Sequence, residues 1–194
     1  MIDQADLRRF ERLALPHLDA AYNLARWLTR DDQDAQDVVQ EAMLRALRYF
    51  ASFRGDNARP WLLTIVRHTC YGWLRENRPA LQAPLDGGDD ADAPAWDPPA
   101  PDTDEPQVAA ARRDERAQVN RALAALPVAY REVLVLRELE DLSYRDIAAI
   151  VQVPVGTVMS RLARARGLLR AALAPPARPG LRPVPRAANE ENPS

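Results

Sequence analysis

The chain is organised around the stretch Leu142-Ser-Tyr-Arg-Asp-Ile-Ala-Ala-Ile-Val-Gln-Val-Pro-Val-Gly-Thr-Val-Met-Ser-Arg-Leu-Ala-Arg-Ala-Arg166. This stretch predicts two short helices joined by a tight turn. Ser143 is suited to cap the first helix, and Asp146 three residues later completes a capping-box-like pair. Pro154 separates the helices, because proline disfavours helical geometry at the residue before it and is tolerated in the first turn of the next helix. The pattern is typical of a helix-turn-helix.

The second helix of this stretch has two contrasting faces. The residues predicted to face inward recur at helical spacing: Val158, Leu162, Ala165 and Leu169. The opposite face carries a row of small residues flanked by arginines: Gly156, Ser160, Ala163 and Gly167, with Arg161, Arg164, Arg166 and Arg170 on either side. Small residues permit close approach to a DNA major groove, and arginines reach phosphates or guanine edges. A solvated, arginine-rich surface helix is the alternative interpretation, but the capped helix and turn before it favour DNA binding.

Composition limits the classes of function. The chain has 194 residues, enough for one domain or two small ones, and no apolar run long enough to span a bilayer. Its only cysteine is Cys70, which excludes an intramolecular disulfide, and its two histidines do not suffice for a Cys/His zinc cluster. We therefore expect a cytoplasmic protein without membrane insertion, metal or cofactor.

The net charge of −2 hides an uneven distribution. Residues 1–80 hold 12 arginines and 11 acidic residues, while residues 81–111 hold 8 acidic residues and no basic one. Residues 112–174 hold 11 arginines and 7 acidic residues. The acidic excess thus lies in one segment, and the segment with the helix-turn-helix is basic, as a DNA-binding domain requires.

An all-α fold is predicted, with two small helical domains joined by a flexible, acidic, proline-rich linker. Domain boundaries are expected at 1–78, 79–111 and 112–173, followed by a disordered Pro/Arg-rich tail at 174–194. Periodicity predicts N-terminal helices over about 7–30, 34–50 and 58–77. In the second domain, Leu123, Leu126, Val133 and Leu139 are among the expected core residues, and helices are expected to resume near Arg112.

Two N-terminal helices carry candidate functional residues. In the helix over 34–50, early acidic residues and late arginines complement the helix dipole, so periodicity alone does not make its carboxylates a binding site. In the helix over 58–77, a helical wheel places Arg67, His68, Tyr71 and Arg75 together on an exposed face. Aromatic rings beside positive charges suit single-stranded or melted nucleic acid, which makes nucleic-acid contact the favoured interpretation.

With these motifs assembled, the chain resembles the sigma-70 family of RNA polymerase sigma factors, in its extracytoplasmic-function (ECF) class. The N-terminal resemblance rests on Asp34-Ala-Gln-Asp-Val-Val-Gln-Glu-Ala-Met-Leu-Arg-Ala-Leu47, Phe53-Arg-Gly and Trp61-Leu-Leu-Thr-Ile-Val-Arg67. The C-terminal resemblance rests on Leu126-Pro-Val-Ala-Tyr-Arg-Glu-Val-Leu-Val-Leu-Arg-Glu-Leu139 and the helix-turn-helix, where Gln152 stands at a position that is often glycine.

The resemblance implies an alternative sigma factor that binds core RNA polymerase, directs it to −35 and −10 promoter elements and promotes DNA melting. It implies core polymerase as a partner, through its β′ clamp and β subunits. The core-binding residues that it implies, centred on docking to the β′ clamp helices, are Asp34, Asp37, Val38, Gln40, Glu41 and Leu44. It implies −10 DNA contacts by Arg54, Asn57, Arg59, Arg67, His68, Tyr71, Arg75 and Arg78. It implies −35 contacts by Arg145, Thr157, Met159, Ser160, Arg161, Ala163, Arg164 and Arg166. An anti-sigma factor, often membrane-anchored in this class, is a further implied partner.

Three other classes of function are alternatives. A helix-turn-helix regulator acting without polymerase explains the second domain but not the first. A sigma-mimic that only titrates an anti-sigma factor predicts loss of the basic DNA-reading face, which the sequence retains. An enzyme is disfavoured, because the sequence offers no nucleophile–base set, metal cluster or phosphate-binding loop.

Overall fold

The computed structural model describes residues 3–55, 57–79 and 106–174, and within these ranges all regular structure is helical. The predicted all-α fold is confirmed. The α-helices are α1 Gln4–Ala14, α2 Leu18–Thr29, α3 Asp32–Tyr49, α4 Ala58–Asn77, α5 Pro106–Ala125, α6 Val128–Leu134, α7 Tyr144–Val151 and α8 Val155–Leu173. We call α1–α4 the N-terminal half and α5–α8 the C-terminal half. The predicted tail and most of the predicted linker lie outside the described residues.

The prediction of one helix over 7–30 is wrong, because the chain breaks at Pro16. Residues Leu15–His17 form a short 3₁₀ turn between α1 and α2. Proline lacks the N–H needed in a helix interior, and its ring clashes with the carbonyl four residues earlier. The break turns Leu15 and Leu18 outward, where they are 47% and 41% exposed.

Side-chain caps set the starts of the next two helices. The Asp31 carboxylate accepts hydrogen bonds from the backbone N–H groups of Gln33 and Asp34 at the start of α3. The side-chain Oδ1 of Asn57 accepts from the Arg59 N–H at the start of α4. These bonds satisfy amide groups that have no partner within the helix. The helices therefore begin close to the predicted positions.

Helices α2, α3 and α4 pack together through small and aliphatic side chains. On α3 the buried residues include Val38, Ala42 and Ala46, as the helical pattern predicts. Helix α4 is buried over more of its circumference than a two-faced wheel suggests, since Leu63, Cys70 and Leu74 are also fully buried. The reason is that α4 packs on α2 and α3 and also on α7 of the C-terminal half.

Helix α5 begins at Pro106, earlier than the expected start near Arg112. Proline is well tolerated at a first helical position, where its missing N–H has no partner to lose. After α6, the wider π-type turn Val135–Leu139 carries the chain towards α7. This turn places Leu139 at the surface, 52% exposed, so its predicted core position is wrong.

The helix-turn-helix forms as predicted. The Ser143 hydroxyl accepts the Asp146 N–H at 3.1 Å and donates to the Asp146 carboxylate at 2.6 Å. Among the described helices none is long and apolar enough to cross a membrane alone; α7 and α8 pass such a test only when joined, and they are bent by 99°. The inward-facing positions predicted for α8 are confirmed: Val158, Leu162 and Ala165 are buried, and Leu169 is partly buried.

The turn between α7 and α8 depends on Gln152, whose backbone is left-handed with φ 57° and ψ 46°. A side chain in this conformation is strained, whereas glycine adopts it freely. We expect Gln152→Gly to raise the free energy of unfolding by about 0.5 to 1 kcal/mol, measured by urea denaturation. Gln152→Ala is the matched control and should bring no such gain, because alanine keeps the Cβ atom. Equal stabilisation by both variants would contradict this explanation.

The two halves pack directly against each other. Helix α7 contacts α4, α6 contacts α2, and the buried apolar residues form one continuous core that runs through both halves. The surfaces that each half presents to the other are therefore covered in this arrangement.

Candidate functional site

The first candidate surface is the exposed face of α3. We define the α3 face by Asp37, Gln40, Glu41 and Leu44, all of which are exposed. Leu44 is the most exposed large apolar residue in the described chain, at 62%. The predicted Glu41–Arg45 pair is confirmed at 2.7 Å. An exposed leucine among polar side chains is typical of a residue that becomes buried in a protein interface.

Two predicted members of this surface have other roles. Val38 is 2% exposed and packs in the core, so it cannot contact a partner from the α3 face. Asp34 is half-buried, and its carboxylate accepts a hydrogen bond from the Arg78 guanidinium at 3.1 Å. Burial and the neighbouring Asp31 raise the pKa of the Asp34 carboxyl, while Arg78 opposes that rise. This pair ties the start of α3 to the end of α4.

An apolar groove of about 760 Å³ adjoins the α3 face. Its lining includes Leu15 and Leu18 from the break between α1 and α2, together with Met43, Leu44 and Leu47 from α3. The two leucines at the break were missed by sequence reasoning, which treated this segment as a continuous helix. Pro16 between them was the available signal.

The second candidate surface is α4 with the loop before it. Arg54, His68 and Arg75 are exposed, as predicted. Asn57 caps α4 through its side chain. Arg78 donates to the Thr29 carbonyl oxygen and lies 5.6 Å from the Trp73 ring centroid. The predicted −10 residues of this surface therefore include exposed side chains and side chains that make contacts within the fold.

Arg67 and Tyr71 are not on an open face, contrary to the helical-wheel prediction, and Arg59 is also partly buried. Each contacts a carboxylate of the C-terminal half. Arg59 pairs with Glu140 at 2.6 Å and Arg67 pairs with Glu132 at 2.5 Å. The Tyr71 hydroxyl donates to Glu132 at 3.2 Å. A helical wheel of α4 could not reveal these partners, because they lie more than 60 residues away in sequence.

Aromatic rings hold the loop between α3 and α4. The Phe53 ring centroid lies 5.9 Å from that of Phe50 and 4.8 Å from that of Trp61. The Arg9 guanidinium lies over both phenylalanine rings and donates to the carbonyl oxygens of Phe53 and Gly55. These contacts position Arg54. Sequence reasoning missed Arg9, which gave no local signal.

The third candidate surface is α8 of the helix-turn-helix. The predicted row of small residues is exposed, and a Cβ atom added at Gly156 would meet no atom of another element within 4 Å. Met159 is 53% exposed beside this row. The Ser160 hydroxyl donates to the Thr157 carbonyl oxygen at 3.0 Å. A slim, open ridge of this kind fits a DNA groove.

The arginines predicted to contact −35 DNA differ in their exposure and in their ion pairs. Arg145 and Arg164 are exposed, and Arg164 reaches the Tyr130 hydroxyl at 3.5 Å. Arg166 pairs with Glu138 at 2.6 Å. Arg161 is half-buried; burial raises the pKa of the Glu132 carboxyl, and the charge of Arg161 is one of those that oppose this rise. Of the four arginines, Arg145 and Arg164 are thus the best placed to meet DNA.

Family models match both halves of the chain. The match to Sigma-70 region 2 covers residues 13–79, and the match to Sigma-70, region 4 covers residues 116–169. The RNA polymerase sigma-H factor of Pseudomonas aeruginosa is 38% identical over 177 residues, spanning 90% of this chain and 91% of that protein. The chain belongs to the sigma-70 family of RNA polymerase sigma factors.

Further relatives place the chain in the ECF class of this family. The ECF RNA polymerase sigma-E factor of Haemophilus influenzae is 34% identical, over 90% of this chain and 92% of that protein. A solved structure of the sigma factor RpoE in complex with the anti-sigma factor NepR, from Bartonella quintana, is similar in fold with a TM-score of 0.67. It is 28% identical and covers 86% of this chain and 97% of that chain. The chain described here is accordingly a sigma factor of the ECF class, and sigma factors are transcription initiation factors.

The family match relates the three surfaces to one another. The α3 face and the aromatic-basic helix α4 both belong to region 2, and the helix-turn-helix belongs to region 4. The Glu132 and Glu140 contacts therefore join region 4 to region 2. Sequence reasoning missed both carboxylates as partners. They are two of the seven acidic residues of segment 112–174, and nothing in their spacing indicated what they contact.

Proposed function

We propose that this ECF sigma factor binds core RNA polymerase through the α3 face and reads promoter DNA through α4 and α8. In this proposal residues 1–78 dock on polymerase and recognise and melt the −10 element. Residues 112–173 recognise the −35 element, residues 79–111 connect the two, and 174–194 form a tail. The observation that carries it is the presence, in one chain, of an exposed acidic-apolar α3 face and a capped helix-turn-helix with an open α8 ridge.

The α3 face supports the polymerase-binding part. Its carboxylates, Asp37 and Glu41, are exposed and suited to arginines on a partner helix, and Leu44 lies between them and the apolar groove. A regulator that bound only DNA would not need an exposed acidic and apolar surface of this kind. Charged groups at an interface rim speed and orient association, while a buried apolar residue contributes most of the affinity.

The α4 and α8 surfaces support the DNA-binding part. Exposed His68 and Arg75 on α4, with Arg54 on the loop, are suited to unstacked bases and phosphates of a melted strand. On α8, exposed Arg164 lies beside a ridge that is narrow enough for the major groove, and exposed Arg145 lies on the preceding helix α7.

An anti-sigma factor is a further proposed partner. The similar sigma factor RpoE was solved in complex with the anti-sigma factor NepR. By that likeness we propose that this chain also binds an anti-sigma factor, which in this class is often membrane-anchored. We propose a cytoplasmic location, where core polymerase and DNA are found.

Reconstituted transcription tests the proposal. Purified chain is mixed with core RNA polymerase and fragmented genomic DNA, and the 5′ ends of the transcripts are sequenced. We expect new start sites that share one sequence element about 10 base pairs upstream and another about 35 base pairs upstream, because the −10 and −35 elements are named for these distances. Core polymerase alone is the control. DNA binding without any gain in start sites over the control would reject the sigma-factor assignment.

Arg164→Ala is expected to weaken binding to a −35 duplex found in that experiment. Loss of one arginine contact to a base edge costs about 1 to 3 kcal/mol, or roughly 5- to 150-fold in affinity. Affinity for core polymerase should stay unchanged, because Arg164 lies on the exposed side of α8. Fluorescence anisotropy measures both. Arg121→Ala, an exposed arginine on α5, is the matched control. Equal loss of both affinities would indicate misfolding instead.

A further inference from the structure

The loop between α3 and α4 presents Arg54 from a backbone that is packed on one side. Phe53 is 9% exposed, whereas Arg54 and Gly55 are exposed. A Cβ atom added at Gly55 would lie 3.1 Å from Cζ and 3.2 Å from Cε2 of the Phe53 ring, closer than an ordinary contact. Glycine at this position therefore lets the backbone that follows Arg54 lie against that ring.

The Arg9 guanidinium holds this loop from the side of α1. Its Nη1 donates to the Phe53 carbonyl oxygen at 3.3 Å, and its Nη2 donates to the Gly55 carbonyl oxygen at 3.5 Å. These carbonyls belong to the residues directly before and after Arg54. One planar group, whose N–H donors have a fixed geometry, thus contacts the backbone on both sides of Arg54.

Aromatic rings hold the guanidinium in turn. It lies 5.2 Å from the Phe50 ring centroid and 5.9 Å from the Phe53 ring centroid. The neighbouring Phe10 is 5% exposed, and its ring meets the Phe50 ring edge-on at 5.2 Å. Both hydrogen bonds of Arg9 are longer than an average N–H···O bond, so the ring contacts are needed to keep the guanidinium in place. Helix α1 therefore anchors Arg9 through Phe10 and Phe50.

The place of Arg9 differs from that of the arginines assigned above to DNA. It lies before the start of the Sigma-70 region 2 match at residue 13. It is half-buried, and two of its nitrogens donate to carbonyl oxygens of the loop. Arg54 is exposed and Arg9 is behind it. This geometry favours an action of Arg9 on the loop over a direct contact with DNA.

We propose that Arg9 is a positioning residue for promoter melting, which holds Phe53, Arg54 and Gly55 in the conformation that binds the melted −10 strand. A loop that is ordered before DNA arrives does not lose that conformational freedom on binding, so the strand binds more tightly. The part that Arg9 plays in melting rests on the proposed function, whereas its ordering of the loop does not.

Tryptic cleavage after Arg54 tests the ordering of the loop in the free protein. Trypsin cleaves backbone that can leave its folded conformation, so Arg9→Gln should speed cleavage of the Arg54–Gly55 bond, by about 2- to 10-fold. Arg12→Gln is the matched control, because it removes the same charge from an exposed position on α1. Mass spectrometry of brief digests quantifies the peptides that end at Arg54. Equal cleavage in the two variants would overturn the proposal.

Binding of a melted strand tests the role in melting. Holoenzyme containing each variant is titrated with a labelled single-stranded oligonucleotide that carries the −10 sequence found by transcript mapping. Arg9→Gln should weaken binding by about 2- to 10-fold, the cost of ordering one long side chain at an interface. Affinities for core polymerase and for −35 duplex should stay unchanged, which shows that the variant is folded. A loss of the same size in Arg12→Gln would contradict a specific role of Arg9.

A double-mutant cycle shows whether Arg9 acts through Arg54. In Arg54→Ala holoenzyme, Arg9→Gln should cause no further loss of strand affinity. A further loss of the same size would show that Arg9 acts independently of Arg54, and the proposal would then be wrong. Arg9→Lys keeps the charge but lacks the planar pair of donors, so weak strand binding should persist. Full recovery of strand binding with lysine would reject the two carbonyl contacts as its cause.

Gly55→Ala disturbs the loop while leaving Arg9 in place. The added Cβ atom would press on the Phe53 ring, which is already packed against the rings of Phe50 and Trp61. We expect faster cleavage and weaker strand binding here too, so the proposal can be tested even if the Arg9 variants fold poorly. Unchanged cleavage and binding would overturn it. Faster cleavage in Arg9→Gln, with no start sites from the unsubstituted protein, would reject the proposed function and support the ordering of the loop.

Discussion

Replacing Leu44 with glutamate is expected to reduce affinity for core RNA polymerase by 10- to 100-fold, on the order of 1.4 to 2.8 kcal/mol. Leu44 is 62% exposed in the free protein and lies within the α3 face beside the apolar groove. Burial of a leucine side chain at an interface contributes about 1.5 to 3 kcal/mol, and a buried glutamate without a partner would add a desolvation cost. Titration of labelled protein with core polymerase measures the change.

The control for this prediction is on the same helix. Tyr49 is 58% exposed and lies five residues beyond Leu44, which at about 100° per residue places it roughly 140° around α3. Tyr49→Glu therefore introduces the same charge away from the α3 face and should leave core affinity nearly unchanged. Thermal unfolding should be similar for both variants, since neither side chain is in the core. Equal effects of the two substitutions on core binding would refute docking through the α3 face.

Local signals in the sequence were reliable wherever the deciding partner is a few residues away. The Ser143 cap, the Glu41–Arg45 pair and the buried positions of α8 all follow from helical spacing and capping chemistry, and the structure confirms them. The row of small residues on α8 is exposed as predicted for the same reason. Within a helix, the distance between two side chains is fixed by their separation in sequence.

The errors arose where backbone geometry or a distant partner decides the outcome. Pro16 breaks a segment whose apolar spacing alone predicts one helix, and the π-type turn rotates Leu139 to the surface. Arg67 and Tyr71 have the pattern of an exposed nucleic-acid-binding face, yet Glu132 covers them. Periodicity cannot indicate which exposed face of one half packs on the other, because that depends on tertiary contacts across the linker.

These errors also bear on function. A sequence pattern describes what α4 can bind, whereas the structure describes what α4 binds when the protein is alone. Both can hold for one surface if the protein has two arrangements. The hidden positions of Arg59 and Arg67 are therefore compatible with −10 recognition, provided that region 4 moves away when polymerase binds.

Phe50→Ala is expected to lower the free energy of unfolding by about 3 to 5 kcal/mol. Phe50 is fully buried, and its ring contacts those of Phe10, Phe53 and Trp61. Truncation leaves a cavity at the centre of this cluster, which a rigid helical packing cannot fill. Urea denaturation followed by circular dichroism measures the loss. The neighbouring Tyr49→Ala is the matched control and should change stability by no more than about 0.5 kcal/mol, because its side chain is exposed.

The same substitution should also affect the −10 surface, because the aromatic cluster holds the loop that carries Arg54. The Phe50 ring packs on the Phe53 ring and lies under the Arg9 guanidinium, which donates to the Phe53 carbonyl oxygen. Loss of the Phe50 ring therefore removes a packing contact from Phe53 and from Arg9. Phe50→Leu separates the two effects, since it fills most of the space and costs only about 1 kcal/mol of stability. Folded Phe50→Leu protein should still melt promoters less efficiently, measured by permanganate reactivity of −10 thymines at saturating core polymerase. Unchanged melting in this variant would show that the cluster stabilises region 2 without positioning the loop.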